Sequence, residues 1–133
     1  MNPCEFTYIV ESKKSPREAL VAVIKAAHAV GWVVAGDYEL SALVTTSESG
    51  WDFKSVDICQ PELARPFVSA QPLTALCMPC SFLLYSDGAV TRLAVMRPSA
   101  VMPQLFQDTA GAVADVASRV DRELLQILEV ASE

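Results

Sequence analysis

"CSFLLYSDGAVTRLAVM", from Cys80 to Met96, decides the fold. Two apolar runs flank Asp87-Gly88, the two-residue turn whose backbone twist suits a hairpin, so the stretch predicts two antiparallel strands. Upstream, "KSVDIC" (Lys54 to Cys59) reads as another strand with Val56 and Ile58 facing inward. Between them "QPELARPFVSAQP" opens a short helix, with Gln60 as its cap and Pro61 at the first helical position. Pro66 falls deep in that helix, where it lacks an N–H and crowds the preceding turn, so a kink or an early end is expected there.

The N-terminal third alternates in character. "EFTYIVES" sets Phe6, Tyr8 and Val10 against Thr7, Ile9 and Glu11, a strand by its period of two. In "SPRE", Ser15 can accept from the Glu18 amide while Glu18 reaches back to Ser15, and Pro16 is preset for the first turn. Leu20, Val23, Ile24, Ala27 and Val30 then form one apolar stripe, which Gly31 ends in a left-handed conformation. "WVVA" from Trp32 is a second strand that Gly36 is expected to end. Glu39 to Val44 reads equally as a helical turn or a strand, and "TTSESG" as a loop.

After "RPSAVMP" the tail is helical. Phe106, Ala110, Val113, Ala117, Val120, Leu124, Ile127 and Ala131 recur at steps of four and three, and Asp115 is placed to pair with Arg119. Such a helix can lie on the sheet or form a seam with a partner chain. The order is strand, helix, two strands, short helix, hairpin, long helix. It predicts a small single α+β domain over residues 1–133, with a mainly antiparallel sheet and helices on one face.

Ten basic residues against sixteen acidic ones leave a net charge of −6. With no basic stripe, nucleic acid and anionic membranes are disfavoured as partners. Apolar runs stop well short of the roughly twenty residues that span a bilayer. "MNPCEFTYIV" lacks a basic start and long apolar core, so a cytosolic chain is expected. No phosphate loop, dinucleotide fingerprint, nucleophile elbow or zinc-helix motif occurs, so no cofactor is expected and no reaction is named.

The cysteines are the remaining chemistry. Cys77-Met78-Pro79-Cys80 has redox-dithiol spacing, but a strand follows Cys80 where such enzymes place a helix N-terminus to stabilise the thiolate. No second cysteine pair follows to complete a zinc site; any metal would draw on Cys59, Cys77 and Cys80. Cys59 lies where a strand ends and a helix begins, near amides that favour an anion. Asp57 and Glu62 oppose that charge, and Arg65 partly offsets them. His28, the lone histidine, lies opposite the apolar stripe as a solvated residue, which weakens a Cys–His nucleophile. Trp32, Trp51, Tyr38 and Tyr85 suit a core or a pocket lining.

The succession "GDYELSAL", "CQPELA" and "LCMPCSFLLYSDG" resembles the domain of unknown function 302 family. Cys59, Pro61 and Ala64 match its Cys-Asn-Pro-x-x-Ala segment, and Pro79, Cys80 and Tyr85 its Leu-Pro-Cys strand. Gln60 replaces the usual Asn, Met78 the usual Leu, and Cys77 is extra. The resemblance implies a small α+β domain that forms a homodimer, through its sheet or its long C-terminal helix, and implies no reaction. It leaves two readings. One is a binding module for an unknown small molecule, with a pocket edged by Cys59, Pro61, Arg65, Pro79 and Cys80. The other is a thiol-handling protein, a sulfur carrier, disulfide exchanger or soft-metal binder, using Cys59 and Cys80. Both require those two thiols to face one cleft.

Overall fold

The computed structural model describes residues 2–45 and 50–133. A five-stranded antiparallel sheet runs in the order β1-β5-β4-β3-β2. Its strands are β1 (Thr7–Ser12), β2 (Val33–Glu39), β3 (Asp52–Cys59), β4 (Cys80–Ser86) and β5 (Thr91–Met96). A short α1 (Pro3–Phe6) takes over the start of the expected first strand, because Asn2 and Glu5 form a capping box around Pro3.

Helix α2 (Pro16–Ala29) forms as its capping box predicts: the Ser15 hydroxyl accepts from the Glu18 amide and the Glu18 carboxylate from the Ser15 amide. Gly31 follows with φ +82°, a conformation that disfavours any side chain. The strand after it does not end at Gly36. It bulges between Val34 and Gly36 and continues to Glu39. A Cβ at Gly36 would lie 2.7 Å from the hydroxyl of the exposed Tyr38 side chain, which lies across it. The ambiguous segment resolves as a helical turn, α3 (Ser41–Val44). The loop expected over 45–50 lies mainly outside the described residues.

Helix α4 (Pro61–Ala70) runs past Pro66 rather than ending there. Leu63 and Phe67 are buried on either side of the proline, and their packing holds the turn that the missing N–H weakens. A 3-10 turn, Pro72–Cys77, leads to β4. The hairpin is looser than its sequence suggests. Ser86 pairs with Thr91, leaving four residues from Asp87 to Val90 in the loop instead of two. Gly88 takes φ +103°, while the Ser86 hydroxyl and Asp87 carboxylate accept the Gly88 and Ala89 amides.

The tail departs most. "RPSAVMP" is itself helical, as α5 (Pro98–Leu105), since Pro98 sits at the tolerated first position. Then come α6 (Gln107–Ala110), a 3-10 turn over Gly111–Val113, and α7 (Ala114–Ser132). Arg119 pairs with Glu123 at 3.0 Å, one turn on from the expected Asp115.

Helices α2 and α7 pack on each other and on the same sheet face. That face presents Val56, Ile58, Phe82, Leu84, Leu93 and Val95, all buried, against Val23, Ala27, Leu124 and Leu128. Fully burying one such side chain stabilises by about 1.5–3 kcal/mol. The alternate residues point the other way. Trp51, Phe53 and Tyr85 stack there with centroids 5.6–6.0 Å apart, beside exposed Ile9, Val33, Tyr38 and Met96.

Candidate functional site

The β3–β4 register sets Ile58 opposite Cys80, so Cys59 ends its strand one residue beyond the partner of Cys80. Gln60 then turns the chain into α4, its side-chain oxygen accepting from the Glu62 amide at 2.7 Å. On the neighbouring strand, Cys77 closes the 3-10 turn, and the cis Met78–Pro79 peptide delivers Cys80 into β4.

Two adjoining cavities result. The smaller, of about 40 Å³, lies between Cys59, Phe67, Cys80, Trp32, Met102 and Val120. The larger, of about 270 Å³, opens between Leu76, Ser81, Met96, Pro98 and Val101. Cys77, Met78, Pro79, Cys80, Pro98 and Met102 line both. Cys59, Pro79 and Cys80 thus share one cleft. Pro61 and Arg65 are not part of either lining. Both are exposed on α4, and Arg65 is engaged by Glu62 at 2.6 Å.

The cleft is apolar, and two of its thiols, Cys59 and Cys80, are pushed toward the protonated form. Burial raises Cys80 to about 12, helped by the charges of Cys59, Asp121, Cys77 and Asp57. Burial also raises Cys59. The α4 amides do not overcome that desolvation. His28 is exposed on α2, and no group of three or more His, Cys, Asp or Glu side chains suited to a metal ion occurs among the described residues. Cys4 lies apart and exposed, its thiol on the Asn2 side chain. The four cysteines are free thiols.

One organising residue escaped the sequence reading. Asp121 of α7 is buried and accepts from the Ser99 amide at 3.1 Å, from the Ser99 hydroxyl, and from Arg97 Nε at 3.4 Å. Arg97 in turn lies 5.0 Å over the Tyr8 ring. A carboxylate at the first turn of α5 satisfies the free Ser99 amide and complements the helix dipole, so Asp121 fixes the wall carrying Pro98 and Met102. Glu123 holds a second wall by accepting from Trp32 Nε1 at 2.9 Å. Asp121 could have been found in the sequence. It stands four residues after Ala117 and three before Leu124, on the apolar stripe where an unpartnered charge would be costly.

Residues 8–131 match the family described as domain of unknown function DUF302. The chain belongs to that family. It is also similar in fold to an uncharacterized conserved protein DUF302 from Bacillus stearothermophilus, known as a crystal structure. The TM-score is 0.83 at 15% identity, over 96% of this chain and 98% of that one. No curated protein matches the DUF302 chain. The α+β fold and the family are therefore as the sequence motifs implied. No helix among the described residues is long and apolar enough to cross a membrane.

Proposed function

We propose that this DUF302 chain is a cytosolic homodimeric binding module whose ligand sits in the cleft edged by Cys59, Pro79 and Cys80. One observation carries the reading: two thiol-bearing segments from separate elements converge on an apolar cleft of about 270 Å³ with its smaller annex. Ligand sites are concave, largely apolar and preformed, which fits this position between the sheet end, α4 and α5. The walls are pinned by Asp121 and Glu123, so the cleft needs little ordering on binding. Sulfur transfer or disulfide exchange is the weaker alternative, because attack requires a thiolate and burial disfavours it at Cys59 and Cys80.

The sheet face without helix cover suits a second copy. Helix α7 spends its stripe of Ala117, Val120, Leu124 and Leu128 on its own core, which leaves it little to offer a partner. Five strands, at about 4.8 Å spacing and roughly 3.4 Å per residue, give a flat footprint on the order of 500 Å². Side-chain relief brings this toward the roughly 800 Å² per partner of a stable interface.

Titrating ¹⁵N-labelled protein with indole is expected to shift the Cys77, Cys80 and Ser81 amides, and Val101→Phe is expected to remove the response. Shifts confined to the open sheet face would overturn the pocket. Light scattering is expected to report a dimer that Leu83→Asp dissociates. A dimer unchanged in both Leu83→Asp and Tyr85→Asp would overturn the interface.

A further inference from the structure

Among the described residues that line the cleft and its annex, Asp57 is the one charged side chain. The β3–β4 register sets it opposite Ser81 on the open face, where the Ser81 hydroxyl donates to Asp57 Oδ1 at 2.5 Å. That bond uses one of the roughly four lone-pair sites of a carboxylate. Among the described residues no lysine or arginine pairs with Asp57, whereas Glu39, Asp52, Glu62 and Asp121 each hold a cation. Resting on the reading of this cleft as the binding site, we infer that its ligand is a small primary amine, its apolar body in the cleft and its ammonium group on Asp57.

Size and charge select that class. A cleft of about 270 Å³ falls just under the roughly 300 Å³ at which small-molecule sites begin, so a single ring or a short branched chain suits it. Met78, Pro79, Val101 and Met102 offer such a body hydrocarbon and polarizable sulfur, which favour an aromatic ring. A ligand lying there takes water from the mouth where Asp57 sits. An uncharged one would leave the carboxylate short of solvation, which is costly. An anion would add repulsion, with no Lys or Arg in either lining to offset it. A protonated amine removes both penalties. Its N–H groups donate to the carboxylate sites that Ser81 leaves open, in charge-assisted bonds about twice as strong as neutral ones. The field inside the cleft agrees: Asp57 and Asp121 both act on Cys80, and Arg97, 3.4 Å from Asp121, offsets only the latter.

The test uses three probes that share a ring and differ in charge: tryptamine, indole and indole-3-acetate. Each is titrated into the ¹⁵N-labelled full chain at low ionic strength, and the Cys77, Cys80 and Ser81 amides are followed. Tryptamine is expected to bind about fivefold tighter than indole, as suits a carboxylate that keeps some solvent, and indole-3-acetate more weakly than indole. Asp57→Asn keeps the shape and the acceptor for Ser81 but removes the charge, so the three affinities should converge while indole still binds. Glu62→Gln changes an exposed carboxylate on α4 outside both linings and should keep the parental ratio. The ranking in the parent chain is itself decisive if Asp57→Asn folds poorly. The inference is overturned if the parent binds tryptamine no tighter than indole, if Asp57→Asn retains the parental ratio, or if Glu62→Gln loses as much of it as Asp57→Asn. Indole and tryptamine binding equally at the cleft amides would sink the amine and leave the pocket standing. No shift at those amides with any of the three would remove the pocket as well.

Discussion

The two faces of the sheet are built from neighbouring residues of the same strands, yet they meet different surroundings. On β4, Phe82 and Leu84 are sealed under α2 and α7, while the alternating Leu83 and Tyr85 are only half-buried. On β3, Val56 and Ile58 are buried, and Phe53 stacks between Trp51 and Tyr85 on the other side. Aliphatic side chains and the ring of Phe82 fill the strand rows of the covered face. Large flat rings dominate the open one. The difference teaches that the fold is complete without the open face, so what selects its residues lies outside the core. The cleft occurs where the two faces meet at one end, with Cys80 continuing the covered row and Ser81 the open one.

The largest expected effect breaks this contrast directly. Phe82→Ala should cost about 3–5 kcal/mol in urea unfolding, because a fully buried ring leaves a cavity under two helices. Phe53→Ala should cost about 1 kcal/mol at low protein concentration, mainly the loss of two stacked contacts. If the open face pairs with a second copy, the cost of Phe53→Ala grows with protein concentration while that of Phe82→Ala does not. Equal costs at all concentrations would mean that the two faces are equivalent after all.

The same contrast explains what was legible in the sequence. Alternation in "EFTYIVES" and "KSVDIC" marked strands because one face is covered, and the capping box at Ser15 and Glu18 fixed the start of α2 through purely local bonds. The breakers misled where tertiary packing outweighed them. Pro66 is carried through α4 by Leu63 and Phe67, and Pro98 starts a helix within "RPSAVMP", the stretch placed ahead of the helical tail. Asp87-Gly88 signalled a turn correctly but not its length, which the Ser86–Thr91 pairing sets. The Cys-Pro motifs singled out Cys59 and Cys80, and strand ends and register bring these two residues to one cavity lining. Arg65 was misplaced because charge spacing alone cannot show that Glu62 engages it on the outside of α4. Asp121 left a signal that the reading passed over, a carboxylate on the apolar stripe between Ala117 and Leu124.

A smaller effect probes the covered row where it reaches the cleft. Cys80 titrates near 9 when unfolded and about 12 when folded. Between those values the unfolded chain releases a proton that the folded chain keeps, so stability falls as pH rises, by up to about 1.4 kcal/mol per pH unit. In metal-free buffer, Cys80→Ala lacks that term. Its deficit against the parent at pH 8 is expected to shrink by about 2 kcal/mol at pH 10.5. A deficit that stays constant across this range would show that Cys80 is wetted rather than buried.

The smallest effect lies at the opposite end of the covered face, where helix cover runs out and the row turns polar. Lys54 stands opposite Leu84 in the register, yet it points its ammonium at Glu39 and Asp52, each at 2.7 Å. Its hydrogen bond to Glu39, with help from Ser41, lowers the Glu39 carboxyl from 4.5 to about 2. The sign follows from that depression. The pair stabilises fully above the unfolded value, and the contribution is lost as pH falls from about 4.5 toward 2, where the unfolded chain takes up the proton first. Because Glu39 is more than half exposed, solvent screening keeps the effect below about 1 kcal/mol. Glu39→Gln should therefore unfold at nearly the parental urea concentration at pH 7, with a shallower loss of stability between pH 4.5 and 2.5. An acid limb identical to the parent's would mean that Asp52 alone holds Lys54, and that the polar end of the covered face is set by one carboxylate instead of two.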